Sequence, residues 1–306
     1  MKELYQSVLK WFMNDNTSAE AITGPNKIDW LRALPFIALN LSCLFVFWVG
    51  YSKVAFLTGA VLYFVRVFSI GAFYHRYFSH RTYKTNRFWQ FIFAILGASA
   101  VQRGPLWWAT YHRQHHMIAD QEADAHSPVQ HGFWWSHMGW FMSKKNYYYN
   151  PERVTDLTKF PELVFLDRFD GLVPFCLAAS LFVVGTLLHI FAPSMGVTGG
   201  QMIVWGFCIS TIAVFHTTVS INSLSHKYGK RRFTTKDNSR NNLLLALITL
   251  GEGWHNNHHH YPGAARQGFM WWEVDITYYM LKLFEKLGII WDVRPVPSTI
   301  LQKDLA

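Results

Sequence analysis

Four long stretches with almost no charge constrain this chain more than any other feature. Ala33 to Gly50 holds no charged residue, Val54 to Phe73 holds only Arg66, and Gly171 to Pro193 and Gln201 to Ser225 hold no Asp, Glu, Lys or Arg. Each is near the ~20 residues that a helix needs to cross a bilayer, where backbone polar groups must be satisfied within the helix itself. One tight turn separates the first two, and an uncharged connection, Gly-rich at its end, separates the last two. The expected fold is therefore an all-α integral membrane protein: two hairpins, with four transmembrane helices at about 33–50, 54–73, 171–193 and 201–225, in one domain over 1–306.

Phe88 to Gln102 is also apolar but would make a helix only roughly 22 Å long, short for a crossing, so an interfacial helix is expected over 88–102. The balance of 28 Lys+Arg against 19 Asp+Glu gives a charge of +9, which suits nucleic acid or an anionic membrane surface. The apolar runs decide for the membrane and against nucleic acid. With four crossings, Lys53 is the one basic residue outside the spans on the far side, so the near side is expected to be cytoplasmic. Both termini, the segment 75–170 and the chain from His226 onward would share that compartment. Residues 1–30 lack the plan of a signal peptide, so insertion is expected to rely on the internal spans. Cys43, Cys176 and Cys208 lie in apolar stretches without disulfide or zinc-finger spacing and read as packing residues.

Nine of the 15 histidines form a pattern on that near side: His75 and His80 in HRYFSH, His112, His115 and His116 in HRQHH, His226 in NSLSH, and His255, His258 and His259 in HNNHH. On a helix, residues 112, 115 and 116 project within an arc of about 100°, so three imidazoles can meet one site. Residues 255, 258 and 259 repeat the spacing, although Gly251, Gly253 and two Asn weaken helix there. A separation of five would put His75 and His80 about 140° apart on an α-helix, so His80 lies past a helix end or the two serve different ions. Eight or nine neutral imidazoles exceed what one metal takes, and two ions of four or five nitrogen ligands would use them and leave positions open. Imidazole suits iron, zinc, copper and nickel alike.

HRYFSH, HRQHH and HNNHH, in this order around two hydrophobic hairpins, resemble the histidine boxes of the membrane fatty-acid desaturases. GFWWSHMGW at 132–140, NSLSH at 222–226 and GEGWHNNHH at 251–259 resemble the Δ9 acyl-CoA and acyl-lipid branch in particular. The resemblance implies a helical cytoplasmic cap holding two irons, O₂ as oxidant, and a fatty-acyl chain carried by CoA, a carrier protein or a lipid. It implies His75, His80, His112, His115, His116, His226, His255, His258 and His259 as ligands, with Asn222 holding a metal-bound water. It also implies an acyl tunnel closed by the second span. Continued as a helix into the first box, that span would put Phe64, Phe68 and Gly71 near the His75 face with Tyr63 and Val67 on its flank, the alternative being that these are lipid-facing or packing residues. His260 departs from the pattern.

Trp108 and Trp254 adjoin the boxes and could wall the acyl chain, as could Trp107, or anchor at the interface. His126, His131 and His137, and Asp120, Glu122 and Asp124, could orient ligand imidazoles. Lys227, Lys230, Arg231 and Arg232 begin a basic run that either anchors against anionic lipid or meets an acidic electron donor or the substrate headgroup. No haem domain is recognisable, so a separate ferredoxin, rubredoxin or cytochrome is the expected donor. Arg66, a charge inside a span, needs a partner that the sequence does not name. Competing readings are a hydroxylase, acetylenase or terminal-alkene-forming oxidase on the same scaffold, a structural zinc protein, and a membrane metal transporter. A transporter would carry its ligands within the spans rather than at their ends.

Overall fold

Two polar caps and two tight turns set the positions of the membrane helices. The computed structural model describes residues 11–14 and 26–302. The first helix, α1 (Trp30–Val49), ends at Gly50, whose φ of 70° lets the chain reverse; Ser52 then accepts from the Ala55 amide and starts α2 (Lys53–Ser79). After the second turn, Thr198 and Gln201 form a reciprocal capping box. Helices α3 (Arg87–Ala98), α4 (Pro105–Ile118) and α5 (Pro161–Arg168) lie between the hairpins. The second hairpin is α6 (Leu172–Phe191) and α7 (Gly199–Leu224), followed by α8 (Leu243–Ile248), α9 (His255–His260) and α10 (Ile276–Lys286). One short antiparallel pair, β1 (Lys84–Thr85) with β2 (Ile290–Trp291), ties the end of the chain to the first box.

Four helices, α1, α2, α6 and α7, are long and apolar enough to cross a membrane, as expected. Their hairpin turns meet at one end, where Gln201 Nε2 donates to the Val49 carbonyl at 2.9 Å and Trp205 Nε1 to that of Gly50 at 3.0 Å. The histidine boxes lie at the other end. Close approach of α2 and α7 depends on Gly59: a Cβ there would lie 2.5 Å from the Trp205 carbonyl oxygen. The expected cytoplasmic placement of the two chain ends falls on residues 1–10 and 303–306, outside those described.

Two boundaries differ from expectation. The second span does not stop near residue 73 but runs on to Ser79, its last ten residues winding as a π-helix that carries the first box. The short apolar helix spans Arg87–Ala98 rather than 88–102, because Val101 and Arg103 take left-handed φ angles of 61° and 71° before Pro105 starts α4.

Arg66 acquires its partners here. Fully buried, it donates to the Leu62 and Ser99 carbonyls at 3.1 and 3.4 Å, to Thr211 Oγ1 at 2.7 Å and to Ser210 Oγ, joining α2 to α7 and to the end of α3. The Leu62 carbonyl within α2, the Ser99 carbonyl at the end of α3 and two hydroxyls thus satisfy a cation that no carboxylate pairs with among the described residues.

Candidate metal centre

The π-helical turn answers the spacing problem of the first box. Its wider winding closes hydrogen bonds from i to i+5, and the His80 amide bonds to the His75 carbonyl at 3.2 Å. Five residues then make little more than one turn, and both imidazoles turn to the same side.

The nine predicted histidines gather into two groups. His75, His80, His112, His116 and His258 form one, and His115, His226, His255 and His259 the other, each with ring nitrogens within 4.8 Å of one another. In the first, Nε2 contacts run from His75 to His258 (2.9 Å), His258 to His116 (2.9 Å), His116 to His112 (3.0 Å) and His112 to His80 (2.7 Å). In the second, the Nε2 atoms of His226 and His255 lie 3.1 Å apart. Each HxxHH box therefore divides, against the expectation that its three imidazoles meet one site. Residues four apart share a helix face, so His112 and His116 go one way and His255 and His259 the other, while His115 and His258 cross to the opposite group.

Carboxylates fix the tautomers. His115 Nδ1 meets Asp124, His226 Nδ1 meets Asp120 and His259 Nδ1 meets Asp237, each at 2.9 Å, and His75 Nδ1 meets Glu252. An ionised carboxylate only accepts, so each Nδ1 carries the proton and leaves an Nε2 lone pair turned inward. Burial and then neighbouring imidazoles hold His80, His112, His116, His255 and His258 well below the ordinary histidine range, and burial brings His259 down to about 4. Against the upward pull of burial, the hydrogen bond from His226, with those from the Asn238 amide and Ser127, brings Asp120 down to about 2. The His259 side chain is 1% exposed, and its Nε2 has no hydrogen-bond partner in the protein. Against burial, the charge and hydrogen bond of Asp124 raise His115 above the ordinary range. Converging imidazole nitrogens turned inward, one orphaned among them, are the donor set of a cation, and soft enough for a transition metal.

Asp120 and Asp124 take the orienting role considered for them, whereas Glu122 is exposed. Asp237 and Glu252 were not foreseen; the first sits within the basic run and the second in GEGWHNNHH, so proximity in sequence was their only signal. Buried His126 lies 3.5 Å from Asp124 and is grouped with it and His115. His131 Nε2 bonds to the Asp124 carbonyl at 2.9 Å, and His137 bonds to Ser223 Oγ at 2.9 Å and His216 at 3.0 Å, away from both groups. His260 stacks on Phe233 at 4.1 Å. The two Asn of the third box bond outward: Asn256 Oδ1 accepts from the Arg232 and Phe233 amides at 2.8 Å, and Asn257 Nδ2 donates to Glu273 at 2.8 Å. They hold α9 in place rather than weaken it.

A cavity of about 290 Å³ opens beside the first group. Trp108, His112, His126 and Asn222 line its inner end, and Leu39 and Ile212 lie farther along it. The ten residues from Asn222 back to Ile212 correspond to about 15 Å along α7. Trp108 stacks on His112 at 5.0 Å. Trp107 lines the cavity as well, whereas the remaining residues expected at the tunnel do not. Tyr63 bonds to the Ile248 carbonyl at 3.0 Å, Phe64 is 54% exposed, Val67 and Phe68 pack in the core, and Trp254 donates to the Val274 carbonyl at 2.8 Å. Gly71 instead makes room for Glu252: a Cβ there would lie 2.8 Å from its Oε1. In the basic run, Lys227, Lys230 and Arg231 are exposed, while Arg232 pairs with buried Glu273 at 2.6 Å.

Comparison with known proteins extends this geometry. The family model described as "Fatty acid desaturase" matches residues 29–286. An acyl-CoA 5-desaturase of Anemone leveillei is 36% identical over 84% of this chain and 76% of its own length. An sn-1 stearoyl-lipid 9-desaturase of Anabaena variabilis is 32% identical over 88% of this chain and 94% of its own. A palmitoyl-monogalactosyldiacylglycerol delta-7 desaturase of Arabidopsis thaliana is 36% identical over 76% of this chain and 60% of its own.

Proposed function

The chain belongs to the fatty acid desaturase family, and on that premise we propose that it inserts a cis double bond at Δ9 of a saturated fatty-acyl chain, with two iron ions held by nine of its 15 histidines. The observation that carries this reading is the contact between an apolar cavity and a convergent imidazole cluster at Trp108 and His112. His75, His80, His112, His116 and His258 would hold one ion and His115, His226, His255 and His259 the other, with Asn222 beside the cavity positioned to hold a water. Iron bound there supplies the redox chemistry by which a saturated chain, O₂, two electrons and two protons become an alkene and two waters.

The protein's part is positional. Asp124, Asp120, Asp237 and Glu252 keep the imidazoles in one tautomer and orientation. The stacked Trp108 keeps the chain against His112, and Ile212, Phe215 and Val219 along the wall exclude water and fix which methylenes lie nearest the metals. Δ9 is supported by the stearoyl-lipid 9-desaturase relative, while relatives named for positions 5 and 7 have similar identity. The difference among such enzymes would be the depth to which the chain enters.

Lys227, Lys230 and Arg231 offer an exposed positive surface next to His226 for a separate ferredoxin, rubredoxin or cytochrome. The concentration of Lys and Arg at the box end of the spans supports a cytoplasmic active site and cytoplasmic termini. The test is metal dependence: protein purified with iron should contain about two irons per chain and turn over with an external reductant and O₂. Full activity with zinc in place of iron would overturn the assignment.

A further inference from the structure

A second hollow lies on the outer face of the molecule, between α1 and α6. It measures about 740 Å³ and is apolar, with Leu34 and Phe175 on its walls, 46% and 71% exposed on helices that span the membrane. Three residues, Trp11, Pro35 and Gly171, line both this groove and the cavity beside the histidines. One layer of chain separates the two spaces.

That layer is thin for identifiable reasons. Pro35 has no amide hydrogen, so the Leu31 carbonyl four residues earlier loses its helical partner; the Trp11 indole N–H takes its place at 3.0 Å. Gly171 contributes no side chain, and a Cβ there would meet only the Trp11 carbonyl oxygen, at 3.7 Å. Moving Trp11 breaks that hydrogen bond and no packed core layer. Arg103 and Asp170, which line the inner cavity beside this wall, pair at 3.1 Å, and Asn14 bonds to both, so polar groups adjoin the wall to receive an ester-linked headgroup.

We propose that the acyl chain enters sideways from the bilayer past Trp11, so that the substrate is the acyl group of a membrane lipid rather than of a water-soluble carrier. This rests on the desaturase reading and adds the route and the carrier. A lipid chain already lies against Leu34 and Phe175, and passage through the wall needs no transfer through water.

The test uses full-length, iron-loaded protein in phosphatidylcholine vesicles whose saturated acyl chains carry a terminal diazirine. Photolysis should label residues 34–38 and 165–175 in the groove and 211–219 in the cavity. In Gly171→Trp, whose indole would fill the gap beside Trp11 through which the chain passes, label at 211–219 and desaturation of vesicle lipid should both fall about tenfold or more, with iron and groove label retained. Unchanged inner labelling and lipid desaturation in an iron-replete variant overturns the portal. So does wild-type protein that desaturates added acyl-CoA but not vesicle lipid. Should Gly171→Trp not fold, wild-type labelling alone decides: absence of label at 34–38 and 165–175 means that lipid chains do not occupy the groove, and the portal is refuted. Wild-type protein that makes no alkene from either substrate refutes the desaturase reading itself.

Discussion

His80 donates its amide to the carbonyl of His75 at 3.2 Å, so the first two histidines of the chain stand little more than one π-helical turn apart and face the same group of nitrogens. The relationship is sensitive to register. Inserting one Ala between Tyr77 and Phe78 should turn His80 away by roughly 80–100°. We expect iron to fall from two per chain toward one and activity to vanish, as read by elemental analysis of purified protein. Two firmly held irons in the insertion variant would show that His80 is dispensable.

Two carboxylates that serve histidines, buried Glu252 and half-buried Asp237, should behave differently when neutralised. Glu252 also pairs with Arg76 at 2.8 Å, so Glu252→Gln weakens a buried ion pair as well as the His75 anchor and should cost about 3 kcal/mol of stability. Asp237 bonds to His259 and to the Ser239 amide, and an Asn can keep the second of these. Asp237→Asn should therefore lower metal affinity about 10–100-fold with little loss of apo-protein stability. Thermal unfolding with and without metal, together with chelator competition, separates the two; equal effects in both assays would contradict the assignment.

Chain length should be read at Ile212 rather than at Val67. Ile212 lines the cavity, whereas Val67 is 4% exposed in the packed core. Ile212→Trp should shift preference toward shorter saturated chains with iron retained. Val67→Trp should instead cost about 1–3 kcal/mol of stability with the preference unmoved. Product profiles from mixed chain lengths check both, and a shift at Val67 alone would move the tunnel end to α2.

Electron delivery should depend on the exposed cations of the basic run. Replacing Lys230 and Arg231 with Glu should slow reduction by an acidic donor protein and flatten its salt dependence. A small-molecule reductant should restore the rate. An unchanged rate with the donor protein would leave these residues as a membrane anchor.

The sequence exposed the four spans because hydrocarbon tolerates so few alternatives to uncharged helix, and the histidines because nine at box spacing are hard to explain otherwise. It concealed how they divide. Wheel geometry alone drew 112, 115 and 116 together, but the two groups lie on either side of each box, so the four-residue pairs part from the remaining histidine. The π-helix at 70–79 was hidden because no composition marks an extra residue per turn. Asp237 and Glu252 were hidden because a carboxylate's partner is set by tertiary folding. The cavity lies between α1, α4 and α7, elements distant in sequence, and only a three-dimensional arrangement could show that α2 faces away from it.

The most direct test is the fatty-acid profile of a host lacking its own desaturase that expresses this chain with a compatible electron donor. The account predicts cis-Δ9 monounsaturated chains in the host lipids, located by mass spectrometry of derivatised double bonds, and none when His258 is replaced by Ala. Hydroxylated, acetylenic or terminal-alkene products from the wild-type protein, or unsaturation undiminished in the His258→Ala variant, would contradict it.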